Sequence, residues 1–445
     1  RTQTNVVKRQ AYAERCMYFM KAAASYPDWN PQKLLNIGEI GRGIAIGYDW
    51  LYDWMTEEQK TIIRNALISK CLNVMDGAPC LNTNNWNIVA NGGTLLAALS
   101  VGADSPEISA RLVRQCVLIL PKSLRCFYPN GVFIEASGYF TYTMDYLGTA
   151  LSSLYSACGT DWGLSSIQGI SQCGYYPIYT RGHQDNQAIA YGDGDMQAVY
   201  SPTNFWLSKR FSNTDFGVYE KNGGSINEFS LIWYDPAFYE DASGLSHLPK
   251  DYFADGITPM TSMRSDWEDE NGLFIGLKGG FNQTSHGDLD IGTFYLGANG
   301  KCWTKELLGV DYHKSTAELP PYFRFSRYTY YAKSPQGHNT LVINQPSYYP
   351  DMSFGQELTA YCGLCDSKSG ENESYAVLDM TAAYHREAAQ ALRGVKINRE
   401  DGYVILTDKL ELKKPSDVWW FMHTDAQIET YGDSAVLTLE GERLL

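Results

Sequence analysis

The sequence predicts an α+β chain of two domains, a helical one over residues 1–248 and a strand-built one over residues 249–445. Three observations carry this. At 445 residues the chain exceeds what a single hydrophobic core comfortably organises. Its first half places apolar residues at three- and four-residue steps, whereas its second half alternates them in short runs between Gly and Asn turns. Helical and strand textures that are segregated along a chain mark domains of different class.

Residues 61–75 read as one amphipathic helix, with Glu57 and Glu58 suited to its first turn. Similar segments follow at 92–101, 108–120, 139–158 and 203–211, punctuated by Pro79, Pro121, Pro129 and Gly192-Asp-Gly194. Strand patterns then occupy 273–278, 292–296, 339–344, 403–407, 418–422 and 435–442. No fixed-period repeat or low-complexity tract interrupts them.

An apolar fraction of 44% and an aromatic fraction of 13%, with 32 Tyr and 11 Trp, fit packed cores and aromatic-lined clefts. The net charge of -14 argues against nucleic acid, whose binding depends on Lys and Arg displacing counterions from phosphates. An anionic sugar polymer would need a local basic cleft. No apolar run is long enough to span a bilayer, and the expectation is that any export signal has been removed. Ten Cys lack metal-finger spacing, so buried free thiols are expected.

Three stretches concentrate chemistry. Asn82-Thr-Asn-Asn-Trp-Asn-Ile-Val-Ala-Asn-Gly-Gly93 is richer in amides than one helix cap requires. It reads either as a helix-start loop or as amides that meet a ligand oxyanion or carboxylate, with Trp86 as a sugar-stacking wall. Gly131 to Tyr142 offers Glu135, Tyr139 and Tyr142 at a loop-to-helix junction. Such Tyr residues pack helices or act as bases, and a base would need a cation such as Arg264, Lys278, Arg324, Arg327 or His286 to favour phenolate.

The third stretch, Thr284-Ser-His-Gly-Asp-Leu-Asp-Ile-Gly-Thr-Phe294, combines an imidazole with two carboxylates. Alternation of Leu289, Ile291, Thr293 and Tyr295 predicts a strand carrying Asp288 and Asp290 on the opposite face. Downstream stand Glu306 and His338. Asp288, Glu306 and His338 form a ligand set that zinc could accept, or a hydrogen-bonded network.

These segments resemble the heparinase II/III family of polysaccharide lyases. The resemblance rests on Tyr26-Pro-Asp-Trp29, Ala45-Ile-Gly-Tyr-Asp-Trp-Leu-Tyr52, Asn84-Asn-Trp-Asn87 with Asn91-Gly-Gly93, Glu135 to Tyr142, Met263-Arg-Ser265, Lys278-Gly-Gly280, Ser285 to Gly292 and Gly337-His-Asn-Thr-Leu341. It implies an incomplete (α/α) toroid followed by an antiparallel β-sandwich, β-elimination on a uronic-acid polysaccharide such as a glycosaminoglycan, and a periplasmic or secreted bacterial setting. By the same resemblance Asn85, with Asn87 second, meets the substrate carboxylate. Tyr139, with Tyr142 as its rival, is base, acid or both. His286 abstracts the C5 proton from the opposite sugar face, and His338 shares in positioning or catalysis. Glu135, Arg264 and Arg327 complete the expected substrate contacts, and a structural zinc would sit at Asp288, Glu306 and His338. Relatives that carry His after the Asn differ here, where Trp86 stands. The alternatives are a uronate C5-epimerase, a glycoside hydrolase pairing Glu135 with Asp145 or Asp193, and a non-catalytic carbohydrate-binding protein.

Overall fold

The computed structural model describes residues 4–182, 186–224, 226–307, 325–345 and 354–445. Two compact units emerge, one of residues 1–125 with 142–170 and one of 126–141 with 171–445. Helix gives way to strand between Tyr239 and Asp251, where the sequence texture changes. The compact units nevertheless divide elsewhere, because the short helices after residue 171 group with the strands.

The first unit is helical. Its helices are α1 (Val6–Ser25), α2 (Leu34–Trp50), α3 (Glu57–Leu67), α4 (Asn73–Gly77), α5 (Asn85–Ser100), α6 (Pro106–Ile119), α7 (Pro121–Leu124) and the larger part of α8 (Ala136–Cys158). A reciprocal capping box starts α3, with Gln59 N donating to Thr56 Oγ1 at 3.2 Å and Thr56 N donating to Gln59 Oε1 at 2.9 Å. The single helix expected over 61–75 is broken by a π-helical turn at Ile68–Leu72, a widening that periodicity alone does not reveal. The helices α2 and α5 approach backbone to backbone at Gly38 and Gly93. A Cβ at either glycine would collide with main-chain atoms of the other helix, so this crossing requires the two smallest side chains.

The second unit begins with short helices, α9 (Tyr175–Thr180), α10 (Thr203–Phe211), α11 (Thr214–Gly223) and α12 (Glu228–Trp233). Phe205, Val218, Trp233 and Tyr239 form a small core among them. The strands follow as β1 (Asp251–Ala254), β2 (Met260–Arg264), β3 (Phe274–Lys278), β4 (Gly280–Phe281), β5 (Phe294–Ala298), β6 (Lys301–Cys302), β7 (Leu341–Ile343), β8 (Tyr361–Cys362), β9 (Leu364–Lys368), β10 (Glu373–Asp379), β11 (Ala388–Asn398), β12 (Tyr403–Leu412), β13 (Val418–Trp420), β14 (Gln427–Tyr431), β15 (Ser434–Leu439) and β16 (Glu442–Leu444).

Among the described residues all strand pairings are antiparallel. The larger sheets have the orders β1-β2-β3-β5-β6 and β12-β11-β10-β9. They share one core, in which Met263, Ile275, Leu277 and Phe294 of the first pack with Ala376, Leu378, Ala391, Val395 and Ile397 of the second. Period-two alternation builds it, since β10 turns Ser374, Ala376 and Leu378 inward and Tyr375 and Val377 outward.

Arg393 occupies one inward position of β11 and is fully buried. Its guanidinium forks onto Asp408, the directly opposed residue of β12, with both N–O distances at 2.8 Å. Its remaining nitrogen donates to Gly292 O at 2.7 Å and Asn339 O at 3.0 Å, which ties the sheet to the two segments carrying His286 and His338.

Two stability predictions follow from these contacts. Gly93→Ala should cost about 1–3 kcal/mol, the usual penalty for forcing extra atoms into a packed interior, read as a lower midpoint in chemical denaturation. Arg393→Met should cost about 3–5 kcal/mol because it breaks a pair whose guanidinium is fully buried and whose carboxylate is largely so, and the loss should be larger than for Lys209→Met, whose pair with Asp235 is exposed at both ends.

Candidate active site

The segment from Thr284 to Gly292 is not the expected strand. It is a chain of turns, with Gly287 N donating to Thr284 O at 3.0 Å, and the strand begins only at Phe294. Alternation holds among the apolar residues, but Leu289 and Ile291 enter separate cores, and Asp288 and Asp290 are buried as well. Buried cations, absent from the alternation pattern, make that possible.

His286 adopts a left-handed backbone with φ 60°, a conformation that costs a non-glycine residue about 1 kcal/mol or more and persists only when its surroundings enforce it. The enforcing element is the loop at Gly192-Asp-Gly194. Asp193 N donates to His286 O at 2.9 Å, and Gly192 N donates to Asp290 Oδ2 at 2.9 Å. Gly192 has φ 56°, and a Cβ there would strike the His286 carbonyl. Ala136, beside Glu135 at the start of α8, also has positive φ, at 70°. Strain thus gathers around one imidazole.

The His286 ring stacks on Tyr139, with centroids 3.8 Å apart and planes 21° from parallel. Its Nδ1 lies 2.8 Å from Asp193 Oδ2, and its Nε2 lies 3.9 Å from Glu135 Oε1. An ionised Asp193 is an acceptor, so Nδ1 carries the proton and the lone pair of the neutral ring sits on Nε2. Burial opposes the charge on Asp193, but the His286 hydrogen bond and the Lys333 and Arg327 cations outweigh it and hold the carboxyl well below the usual range.

Those two cations serve a second carboxylate. Arg327 Nη2 donates to Asp193 Oδ1 and Asp288 Oδ1, each at 2.8 Å. Lys333 Nζ donates to Asp193 Oδ1 at 2.8 Å and Asp288 Oδ2 at 2.9 Å. Burial pushes Asp288 up against the pull of Lys333, His338 and Arg327, with Asp193 adding to the rise. Asp290 is buried too, but the Lys278 ammonium outweighs that burial and keeps it low.

His338 is wedged between carboxylates. Nδ1 lies 2.7 Å from Glu306 Oε2, and Nε2 lies 3.8 Å from Asp288 Oδ2. Burial opposes its protonation, yet Glu306 and the two aspartates raise its pKa. Ligands to one ion must converge on a point, but Glu306 and Asp288 approach opposite nitrogens of the ring, and Lys333 and Arg327 already occupy Asp288. The expected zinc set therefore does not fit this arrangement, and among the described residues no group of three or more His, Cys, Asp or Glu is placed to hold a metal.

The other expected site residues separate into distinct places. Glu135, Tyr139, Asp193 and His286 come together in the second unit. Arg327, expected to contact substrate, instead holds two carboxylates and is buried. His338 is buried behind Asp288. Arg264 is buried on β2, stacked against Trp267. In the first unit, Asn85 is the first residue of α5 and is buried, and Trp86 beside it is half-buried. Asn87 does not offer an amide to a ligand, because Nδ2 donates to Asn82 O and Ile119 O while Oδ1 accepts from Asn91. Tyr142 donates to Glu39, and burial together with that carboxylate drives its phenol far above the ordinary range. A phenol so placed is a poor base. Arg324 lies outside the described residues.

Sequence reasoning missed Asp193 as the partner of His286. The signal was an Asp between two glycines after the apolar run 188–191. Lys333 gave no signal, because nothing local marks a lysine for burial. All ten Cys are free, and Cys71, Cys80, Cys116, Cys126, Cys173 and Cys362 are buried, as expected.

No family model matches the sequence, and no curated relative does. Solved structures do match. A crystal structure of heparinase III is 14% identical with a TM-score of 0.64, covering 92% of this chain and 60% of its own. Heparan sulfate lyase HepC from Pedobacter heparinus is 14% identical with a TM-score of 0.61, covering 93% and 59% respectively. A second heparinase III gene product is 12% identical with a TM-score of 0.65, covering 92% and 58%. This chain thus spans about three fifths of the length of the structures it matches. Its helix-rich N-terminal part and antiparallel sheets have the heparinase III fold.

Proposed function

We propose that the protein is a polysaccharide lyase that cleaves a uronic-acid-containing glycosaminoglycan by β-elimination. The observation that carries this is the Tyr139 and His286 pair, two proton-transfer groups in ring contact, with Asp193 fixing the imidazole. On this reading the helical part corresponds to the incomplete (α/α) toroid and the paired sheets to the β-sandwich, and the setting is periplasmic or secreted. Among the described residues no helix is long and apolar enough to cross a membrane.

The reaction needs a base for the proton on C5, an acid for the oxygen leaving C4, and neutralisation of the uronate carboxylate so that C5–H becomes acidic. His286 Nε2 serves as base where Asp193 holds the proton on Nδ1, and Asp193 stabilises the imidazolium that results. The C5–H electrons form the C4–C5 double bond as the C4–O bond breaks. Tyr139 delivers its phenolic proton to the leaving oxygen; when the sugar presents its other face, Tyr139 as phenolate takes the C5 proton and passes it to the leaving oxygen. The role of Asn85 toward the carboxylate rests on the resemblance of its segment. Trp86 is assigned to stacking on the same ground.

A hydrolase built on Glu135 and Asp193 is disfavoured by the pairing of Asp193 with two cations and His286, which removes it from duty as nucleophile or acid. A zinc ion at Asp288, Glu306 and His338 would require Lys333 and Arg327 to leave Asp288, and metal analysis of the purified protein tests it.

Incubation with hyaluronan, chondroitin, dermatan, heparin and heparan sulfate should yield ultraviolet absorbance from an unsaturated uronate on at least one polymer. Absence of absorbance on all of them overturns the lyase reading, and isotope uptake at C5 without cleavage selects the epimerase. Asp193→Asn should lower kcat by about 100- to 10,000-fold, the range associated with a positioned acid or base, with KM within about threefold because no substrate contact is lost. Tyr139→Phe should lower kcat by a similar factor of about 100 or more. Tyr142→Phe should change it less than about fivefold, since its phenol is committed to Glu39.

A further inference from the structure

A cavity in the second unit contains no member of the His286 centre. It has a volume of about 350 Å³ and is walled by Arg181, Tyr219, Asn222, Ser246, Arg264 and Trp267. Arg264 is only 3% exposed. Its guanidinium lies 3.7 Å from the Trp267 ring centroid, and its Nη2 donates to Arg181 O at 3.1 Å. The Nε atoms of both Arg264 and Arg181 are buried and meet no acceptor on the protein.

Among the described residues neither guanidinium forms an ion pair with a carboxylate, in a chain whose acidic residues outnumber its basic ones by 50 to 36. Burial, helped by the Arg181 charge, pulls Arg264 down to about 9, so its stack on Trp267 and its carbonyl acceptors do not offset the cost of enclosing the charge. Other buried cations here are neutralised: Arg327 and Lys333 by Asp193 and Asp288, Arg393 by Asp408, and Arg399 by Asp251. The buried Arg264 and the half-buried Arg181, whose Nε is enclosed, lack that compensation among the described residues and form a receptor for an anion.

We propose that this cavity binds a sulfate or carboxylate oxyanion carried on a saccharide, as a subsite separate from His286. Its volume falls in the range of small-ligand pockets, and Trp267 and Tyr219 supply the aromatic surface on which sugar C–H faces pack. Glu268 and Glu270 also line it, but both are exposed and screened by solvent. The saccharide half of the proposal rests on the glycosaminoglycan reading, whereas the oxyanion half rests on the guanidinium pair alone.

The test uses His286→Ala protein, which removes turnover, titrated calorimetrically with a sulfated uronate disaccharide, the same disaccharide without sulfate, a neutral disaccharide and inorganic sulfate. Both charged disaccharides should bind, the other two at least tenfold more weakly, and adding Arg181→Gln should weaken the charged disaccharides tenfold or more. Arg181→Lys, which keeps the charge, should recover part of the loss and shows that the effect is not misfolding. Equal affinity with and without Arg181→Gln overturns the subsite. Inorganic sulfate binding as tightly as the disaccharides overturns the saccharide, and neutral sugar binding as tightly overturns the oxyanion. Since no step depends on cleavage, failure of the lyase assay and failure of this site are separately visible.

Discussion

The active-site region depends on one buried carboxylate. The Asp193 side chain is 1% exposed and stands against His286 on one oxygen and two cations on the other. A lone carboxylate at that depth would be too costly to keep ionised. Lys333 and Arg327 make it tolerable, and they in turn are balanced by sharing Asp193 with Asp288. Two carboxylates and two cations close a neutral group, and the imidazole hangs from its edge. Because Asp193 stays ionised, His286 keeps its proton on Nδ1 and presents Nε2 as the basic nitrogen.

The segment that carries His286 is held at several points by rigid elements. Lys278 at the end of β3 holds Asp290, the Gly192 amide holds the same carboxylate, and Arg393 of β11 holds the Gly292 carbonyl. A histidine at positive φ survives there because each neighbour fixes a different atom of the turn. The core between the two large sheets supports the arrangement, since β3 and β11 both contribute to it. A precise site thus sits on irregular backbone, with sheet residues supplying the rigidity.

Charge handling separates the two guanidinium environments of the second unit. Around His286 each buried cation has its carboxylate, so the network is closed and serves orientation. Around Arg264 the cation is stacked on Trp267 and bonded to carbonyls, so its charge is uncompensated and directed to an anion. The same residue type is structural in one setting and receptive in the other, and the distinction lies in the partners.

What the sequence determined by itself follows from local periodicity and short-range chemistry. The helical first half, the strand-rich second half and the acidic first turn of α3 depend on side-chain spacing and local charge, which are written in the chain. The chemistry-bearing stretches around Asn85, Tyr139 and His286 were legible because they gather unusual residue types in few positions. Tertiary structure alone decided the rest. The contact of Tyr139 with His286 spans 147 positions of sequence, and that of Asp193 with Lys333 spans 140. No local pattern predicts that Lys333 is buried, that Asp288 pairs with Lys333 and Arg327, or that residues 284–292 turn instead of extending. These outcomes are set by which charges meet in the interior, where the cost of an unpaired one selects among arrangements that the sequence pattern leaves equal.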